Sequence, residues 1–287
     1  MTPRTIAYLC YGDGPWADEI RFSLRTLLAR GTGGAGVVVL TDVPEVWADV
    51  RGAVEVRAET RFAEWRGPRG FNHRAKILAI ESLLRDRGGS VVLVDGDTYF
   101  TKPADALWPR IGPGRSIMHL REGRLGVVQG EVHARLHAVL RDGVPAPGGG
   151  GGAVQPGAWM WNSGVVGLHS GDLPLLGDVL ALCDALLERL AAPTLEQFAL
   201  GHVLATRTRL RPAADAVFHY WLPRLREQFA RQTLPALRAA PPIDAEPLPP
   251  SLWAARPRPI GLAAAKVKVK PFLQAIGLWR DRMRAQG

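Results

Sequence analysis

The chain has 287 residues, 47% of them hydrophobic, and carries a formal net charge of +9 at pH 7. This length suits one large domain with or without an appendage, and no apolar run is long enough for a membrane-spanning helix. The short apolar start and only two cysteines, Cys10 and Cys183, argue against a signal peptide and a disulfide framework, so a cytoplasmic protein is expected. The positive charge favours anionic partners such as nucleotides, phosphates or an acidic membrane.

The first predicted elements alternate between strand and helix. Residues 5–11 read as a strand, and residues 12–15 as a turn. A helix follows, with apolar residues at helical spacing: Ile20, Leu24, Leu27 and Leu28. Residues 37–40 form a second buried strand, closed by Thr41 and Asp42. This order predicts an α/β protein with a mostly parallel central sheet flanked by helices.

The next predicted helix covers residues 72–87. Its buried stripe consists of Ile77, Ile80, Leu83 and Leu84. Lys76 falls at the edge of that stripe, where an ammonium seeks a carboxylate partner. The strand that follows offers Asp95 and Asp97. Alternatively, the lysine reaches water along its aliphatic stem.

A short apolar strand, residues 91–94, runs directly into Asp95, Gly96 and Asp97. Unpaired buried carboxylates are costly, so two acids at the end of a buried strand indicate a compensating ligand. Gly96 has no side chain, which lets both acids turn toward one point beyond the carboxyl end of the strand, where α/β sheets bind ligands. Two oxygen ligands suit Mg²⁺ or Mn²⁺ with a diphosphate. The alternative is an ordinary polar turn.

The second half of the chain carries three further polar groups in apolar surroundings. Residues 158–168 read as a strand interrupted by Asn162, Ser163 and Gly164, which implies a bulge or a close ligand. Glu196 and Gln197 begin a helix, where Thr194 and Gln197 also fit a capping box. His219 lies in a final strand, residues 217–221, and is alternatively a hydrogen-bonded core histidine.

The C-terminal part differs in composition from the rest. Residues 241–259 are rich in proline, and the tail carries Lys266, Lys268 and Lys270 before an amphipathic segment at 272–284. We predict a catalytic domain over residues 1–240 and a linker with a basic tail over residues 241–287. The tail either contacts anionic lipid at the inner face of the membrane or packs back on the domain.

These features, in this order and spacing, resemble the GT-A-fold, metal-dependent nucleotide-sugar glycosyltransferases, most nearly the family-8-like bacterial sugar transferases with their DxD motif. The resemblance covers approximately residues 5–222. It implies that Asp95 and Asp97 hold a Mn²⁺ or Mg²⁺ ion on the diphosphate, with His219 as a third metal ligand and Gly96 among the residues that bind the donor. Lys76 is similar to a basic residue that contacts the sugar or diphosphate.

The resemblance also implies the other contacts of the two substrates. It implies that two loops, one after each of the first two strands, contact the base and ribose. The residues of these loops are Tyr11, Gly12, Asp13, Thr41 and Asp42. Asn162, with Ser163 and Gly164, matches a motif near donor sugar and acceptor. Glu196 and Gln197 resemble an Asp-Gln pair, with Glu in place of Asp. Arg224 and Arg226 follow His219, where the family has a basic motif. The implied activity moves a sugar from a UDP-sugar to an acceptor hydroxyl on a saccharide or another molecule.

Two rival classes are weaker. A phosphatase of the haloacid dehalogenase class would use Asp95 as nucleophile, but the motif of that class has Thr or Val at the position of Tyr99. A basic, non-enzymatic protein would bind nucleic acid or a membrane. The arginines are spread along the chain and no nucleic-acid module is recognisable, so no nucleic-acid partner is expected.

Overall fold

A computed structural model describes residues 2–258 apart from residues 51, 53, 128–129, 149–151 and 244–247. Nine strands are present in this part of the chain: β1 (Arg4–Cys10), β2 (Gly36–Thr41), β3 (Val54–Ala58), β4 (Ser90–Val94), β5 (Thr98–Phe100), β6 (Arg115–Arg124), β7 (Trp159–His169), β8 (Arg209–Pro212) and β9 (Val217–His219). Seven form one sheet in the order β3-β2-β1-β4-β7-β6-β8, and β5 pairs with β9 in a second.

The described helices alternate with these strands. They are α1 (Trp16–Arg30), α2 (Phe62–Trp65), α3 (Arg74–Arg87), α4 (Glu131–Arg141), α5 (Leu175–Leu187), α6 (Leu195–Arg207), α7 (Pro223–Gln228), α8 (Leu234–Arg238) and α9 (Pro250–Ala254). None of these described helices is long and apolar enough to cross a membrane. Both cysteines are buried and free, which confirms that they form no disulfide.

The central sheet is mostly parallel. Strands β1, β2, β3 and β4 pair in parallel with their neighbours, and so do β6 and β8. Strand β7 is the exception, because it runs antiparallel between β4 and β6. Helices cover both faces, so the predicted α/β class with a mostly parallel, helix-flanked sheet is confirmed.

Alternation along the strands explains why both faces are buried. In β4, Val91 and Leu93 join the core beneath α3, α5 and α6, whereas Val92 and Val94 join the core beneath α1. Successive strand residues point to opposite faces, and a strand covered on both sides therefore reads as an unbroken apolar run. Because β1, β2 and β4 run in parallel, their carboxyl ends meet at one edge of the sheet.

The segment after β9 packs against the helix and strand nearest that edge. Helix α7 continues through a π-helical turn, 229–233, into α8, and α9 follows. Aromatic and aliphatic side chains from these helices join α1 and β5 in a third core that includes Phe22, Tyr99 and Phe229. This core fixes the C-terminal helices beside the start of β5. The predicted amphipathic segment at 272–284 lies outside the described residues.

Some predicted elements have different bounds. The helix predicted over residues 72–87 begins later, at Arg74, and the preceding residues, 57–70, contain the end of β3 and the short helix α2. Strand β7 spans Trp159–His169, but its register with β6 shifts between Met118 and Leu120, where β7 advances from Val166 to Asn162. Three β7 residues, including Ser163 and Gly164, therefore lie opposite one β6 residue, so the bulge expected at the polar triplet is confirmed. A second, smaller shift places one extra residue on β6 between Arg121 and Gly123.

Candidate functional site

The loop from Asp95 to Asp97 joins β4 of the large sheet to β5 of the small one. The Asp95 N–H donates to the Gly164 carbonyl at 2.9 Å, and the Tyr220 N–H donates to the Asp97 carbonyl at 2.9 Å. A Cβ at Gly96 would stand 2.8 Å from Ile20 Cγ1, so α1 packs directly on this glycine. The backbone around the two acids is thus held from both sides.

His219 reaches the same point from a distant part of the sequence. Pairing of β5 with β9 sets Thr98 opposite His219, next to Asp97. Oxygen atoms of Asp95 and Asp97 and a ring nitrogen of His219 all lie within 4.8 Å of one another. The structure therefore brings together the three residues expected to hold a metal ion.

The hydrogen bonds of His219 fix which ring nitrogen carries a proton. Nδ1 lies 2.8 Å from Asn162 Oδ1, an oxygen that already accepts the Gly164 N–H at 3.0 Å. Because that amide oxygen is an acceptor, Nδ1 donates, and Nε2 faces Asp97 Oδ1 at 3.0 Å. Without a metal ion, Nε2 and the Asp97 oxygen share a proton in this hydrogen bond; a bound cation would replace that proton and be held by the Nε2 lone pair.

The three residues fit a divalent cation. When two ligand atoms bind a Mg²⁺ ion at a right angle, each at about 2.1 Å, they lie about 3 Å apart. His219 Nε2 and Asp97 Oδ1 have this spacing. Two carboxylates and an imidazole are a donor set that Mn²⁺ and Mg²⁺ accept. The second bond of His219, to Asn162, is the kind of contact that orients a metal-binding imidazole.

A guanidinium lies beside this trio. Arg226 of α7 donates to Asp97 Oδ2 at 3.0 Å and to Glu19 Oε2 at 2.9 Å, so it bridges the loop and α1. Burial acts to raise the pKa of Asp97, but the charge and hydrogen bond of His219, with Arg226, outweigh burial and lower the pKa below its usual range. Both arginines expected after His219, Arg224 and Arg226, are exposed, and Arg226 reaches the acids.

Lys76 occupies the other side of the acids. Its ammonium donates to Asp95 Oδ2 at 2.7 Å and lies 3.7 Å from Glu196 Oε1. Burial acts to lower the pKa of Lys76, but Asp95 and Glu196 outweigh burial and raise it above the usual value. The predicted pairing of Lys76 with the acidic pair is confirmed, and Glu196 is an additional partner.

The polar start of α6 is joined to β7 rather than to its own N-terminus. Ser163 donates its hydroxyl to Glu196 Oε1 at 2.9 Å and its N–H to Gln197 Oε1 at 3.2 Å. Thr194 makes no capping hydrogen bond with its side chain. The capping-box interpretation is therefore wrong, because Gln197 is engaged by β7 and by Glu122 instead of reaching back.

Glu122 was not predicted from the sequence. Its carboxylate on β6 accepts from Asn162 Nδ2 at 3.0 Å and from Gln197 Nε2 at 3.1 Å. It thus joins two amide side chains that were expected near the sugar. Glu19, buried on α1 beside Arg226, was missed as well. Nothing in the local sequence marks Glu122, because it is a single acid among polar and apolar residues. Glu19 is next to the apolar Ile20 in a predicted helix, and this position is only a weak sign of a buried charge.

The two loops expected to contact base and ribose lie together at the same sheet edge. The Gly12 N–H donates to Asp42 Oδ1 at 2.7 Å, and Thr41 is buried at the end of β2. The ring of Tyr11 lies 6.4 Å from that of the exposed Trp16 and 6.1 Å from that of Phe62. Asp13 is exposed in the same turn. An aromatic wall therefore flanks this edge.

Comparison with known proteins concerns the fold only. No protein-family model matches the sequence, and no curated protein sequence matches it. The chain is similar to the solved structure of WbbM, a bifunctional glycosyltransferase in its apo form, with 12% sequence identity and a TM-score of 0.47 over 74% of this chain. The matched part is 39% of the WbbM chain, so this chain spans about two fifths of it.

We expect Gly164→Ala to disturb the histidine. An added Cβ would stand 2.2 Å from His219 Nδ1, in the space between that ring and β7. Such overpacking costs about 1–3 kcal/mol of stability, and loss of the Asn162 contact lowers Mn²⁺ affinity by about tenfold or more. Urea unfolding and Mn²⁺ titration measure the two effects. Gly177→Ala is the control, because a Cβ at that position in α5 meets nothing within 4 Å. Equal Mn²⁺ affinity in both variants would contradict the prediction.

We expect Glu19→Gln to stabilise the metal-free protein at alkaline pH. Burial raises the pKa of Glu19 to about 7, against the opposing charge of Arg226. A carboxyl with a raised pKa in the folded state stabilises the fold below its unfolded pKa and loses that contribution as pH rises through 7. The glutamine variant lacks this loss, so at pH 8 it should be more stable by up to about 3 kcal/mol, and equal near pH 4.

Urea unfolding in the presence of a chelator, from pH 4 to pH 8, measures this difference. Glu59→Gln is the opposite control. Arg61 holds the pKa of the buried Glu59 below its usual value through hydrogen bonds, so removing that charge should cost stability at pH 8. If both variants lose stability together at pH 8, the explanation for Glu19 is wrong.

Proposed function

We propose that the chain is a metal-dependent glycosyltransferase, of the hexosyltransferase kind, that moves a sugar from a UDP-sugar to an acceptor hydroxyl. The observation that carries this proposal is the convergence of Asp95, Asp97 and His219 within 4.8 Å at the carboxyl end of β4. Such a site suits a diphosphate bridged to a divalent ion. The likeness to family-8 transferases in the DxD motif and its surroundings agrees with it.

The charges around the trio suit the chemistry of a departing diphosphate. Breaking the bond between sugar and phosphate develops negative charge on the leaving group, which fixed cations stabilise. A bound Mn²⁺ or Mg²⁺ ion supplies a Lewis acid for those oxygens. In this chain, Lys76 and Arg226 lie on opposite sides of the acids and add positive charge that needs no reorganisation.

The remaining polar groups suit the sugar and its hydroxyls. In this proposal Asn162, Glu196 and Gln197 orient the transferred sugar, and Glu122 keeps the two amides in position. Carboxylates near the ring also stabilise the positive character that the sugar gains in glycosyl transfer. Tyr11, Gly12, Asp13, Thr41 and Asp42 form the proposed site for base and ribose, with the Tyr11 ring as a stacking surface.

The rest of the assignment follows from the same hypothesis. We place the catalytic unit in residues 1–240, with a saccharide or another hydroxyl compound as acceptor and no nucleic-acid partner. The proposed location is cytoplasmic, with the basic tail of residues 241–287 at the inner face of the membrane.

Screening nucleotide sugars for Mn²⁺-dependent hydrolysis tests the proposal. We expect one UDP-sugar to be hydrolysed slowly and to raise the melting temperature only when Mn²⁺ is present, with a chelator removing both effects. Turnover without any divalent ion, or an aspartyl-phosphate trapped on Asp95 with a phosphate ester, would favour the phosphatase alternative and contradict the transferase.

A further inference from the structure

A cluster of arginines surrounds one tryptophan near the end of α1. Two guanidinium groups lie over the ring of Trp253 in α9, that of Arg256 at 3.9 Å and that of Arg30 at 4.5 Å from the ring centroid. Arg258 follows two residues after Arg256 and is exposed, as is Arg30. We call Arg30, Trp253, Arg256 and Arg258 the Trp253 patch. It combines three positive charges with one partly exposed indole.

These charges have no countercharge within the described part of the chain. Most other arginines near α1 pair with acids: Arg21 with Asp49, and Arg238 with Asp18. In contrast, Arg30, Arg256 and Arg258 form no ion pair with any described carboxylate. Cation–π contacts hold two of them over the indole. Three like charges kept close together without an acid are suited to an external anionic surface.

The patch is separate from the site described above. Arg30 lies three turns beyond Glu19 on α1, roughly 16 Å along the helix axis. Trp253 meets the small sheet through Tyr99 of β5, whose ring lies 5.7 Å from that of Trp253 and 5.0 Å from that of Phe218. Changing the exposed arginines therefore leaves the acids, Lys76 and Arg226 untouched.

The chain continues from the patch with more positive charge. By sequence, residues 259–287 contain three lysines and three arginines against one aspartate. This segment lies outside the described residues, and its composition has the same sign of charge as the Trp253 patch.

We propose that the Trp253 patch docks the protein on a lipid bilayer with anionic headgroups. Guanidinium groups bind phosphate through paired hydrogen bonds, and tryptophan favours the boundary between headgroups and acyl chains. Basic residues near such a surface are attracted by its negative potential. The guanidinium groups and the indole of the Trp253 patch offer both interactions at once. The proposal goes beyond sugar transfer and does not depend on it.

Co-sedimentation with vesicles tests the docking surface. The full chain is mixed with phosphatidylcholine vesicles that contain about 30 mol% phosphatidylserine, or none, at low and physiological salt. The test variant is Arg30→Glu/Arg258→Glu, which leaves Trp253 and residues 259–287 unchanged. Its matched control is Arg209→Glu/Arg211→Glu, because both arginines are exposed on the edge strand β8 and the change in net charge is the same.

We expect wild type and the Arg209/Arg211 variant to bind phosphatidylserine vesicles alike, and the Arg30/Arg258 variant to bind at least about tenfold more weakly. Equal weakening in both variants would mean that net charge alone attracts the protein, and would overturn the proposal. Wild-type binding by the Arg30/Arg258 variant would assign docking to residues 259–287 and overturn the proposal too. Binding to a nucleic-acid duplex that only the Arg30/Arg258 change removes, without vesicle binding, would identify a different partner. Mn²⁺ and UDP binding, measured separately, reports on the transferase hypothesis.

Discussion

Replacing Asp97 with asparagine is expected to abolish metal-dependent nucleotide binding and sugar transfer. Asp97 contributes one oxygen toward His219 and another toward Arg226, so the amide removes the negative charge that both cationic neighbours surround. The amide nitrogen of asparagine is a hydrogen-bond donor. It would therefore face another donor, either His219 or Arg226, in one of these two contacts. We expect Mn²⁺ affinity to fall by about 100-fold or more, because losing a metal ligand costs more affinity than losing a residue that only orients a ligand.

Calorimetric titration of Mn²⁺ with and without UDP measures the loss, and donor hydrolysis measures its consequence. Asp86→Asn is the matched control, since Asp86 is exposed and pairs with Arg57 far from the trio. The melting temperature of both variants should be recorded without metal, so that unfolding is not mistaken for lost binding. If Asp97→Asn binds Mn²⁺ and UDP as wild type does, the metal site is assigned to the wrong residues.

The parts of this site that could be predicted are those with a local cause. Asp95 and Asp97 follow four apolar residues, and the glycine between them is visible in the sequence. Lys76 is identified by its angle relative to the apolar stripe of one helix. Each of these signals lies within a few residues, where strand and helix periods apply. Their mutual approach then follows from the meeting of strand ends in a parallel sheet.

The parts that could not be predicted depend on pairings between distant segments. His219 is separated from Asp97 by 122 residues, and only the β5–β9 pairing explains its position. The resemblance to known transferases indicated this histidine, whereas the local sequence fitted a core residue equally well. Glu122 reaches Gln197 across the antiparallel strand β7, whose direction no local pattern defines. The capping box was wrong for the same reason, because a distant strand competes for the same side chain.

Lys76→Met is expected to have opposite effects on metal binding and on sugar transfer. Methionine keeps much of the aliphatic stem, but Asp95 and Glu196 lose the ammonium that neutralises them. The side chain of Lys76 is only 12% exposed, so water does not replace this charge. Removing one partner of a buried ion pair costs about 3–5 kcal/mol, and we expect a loss of this size in the metal-free protein.

Added Mn²⁺ should recover part of that stability in the variant, because a cation beside Asp95 supplies the missing charge and binding to the folded state alone stabilises it. Mn²⁺ affinity should therefore rise, while donor hydrolysis falls by about 100-fold because a fixed cation for the leaving group is gone. Lys102→Met is the control: Lys102 is 52% exposed and pairs with the exposed Asp215, so its loss should cost less than about 1 kcal/mol. Equal stability of the two variants without metal would show that Lys76 does not neutralise the acids. Weaker Mn²⁺ binding by Lys76→Met would show that a metal ion does not replace the charge of Lys76 beside them.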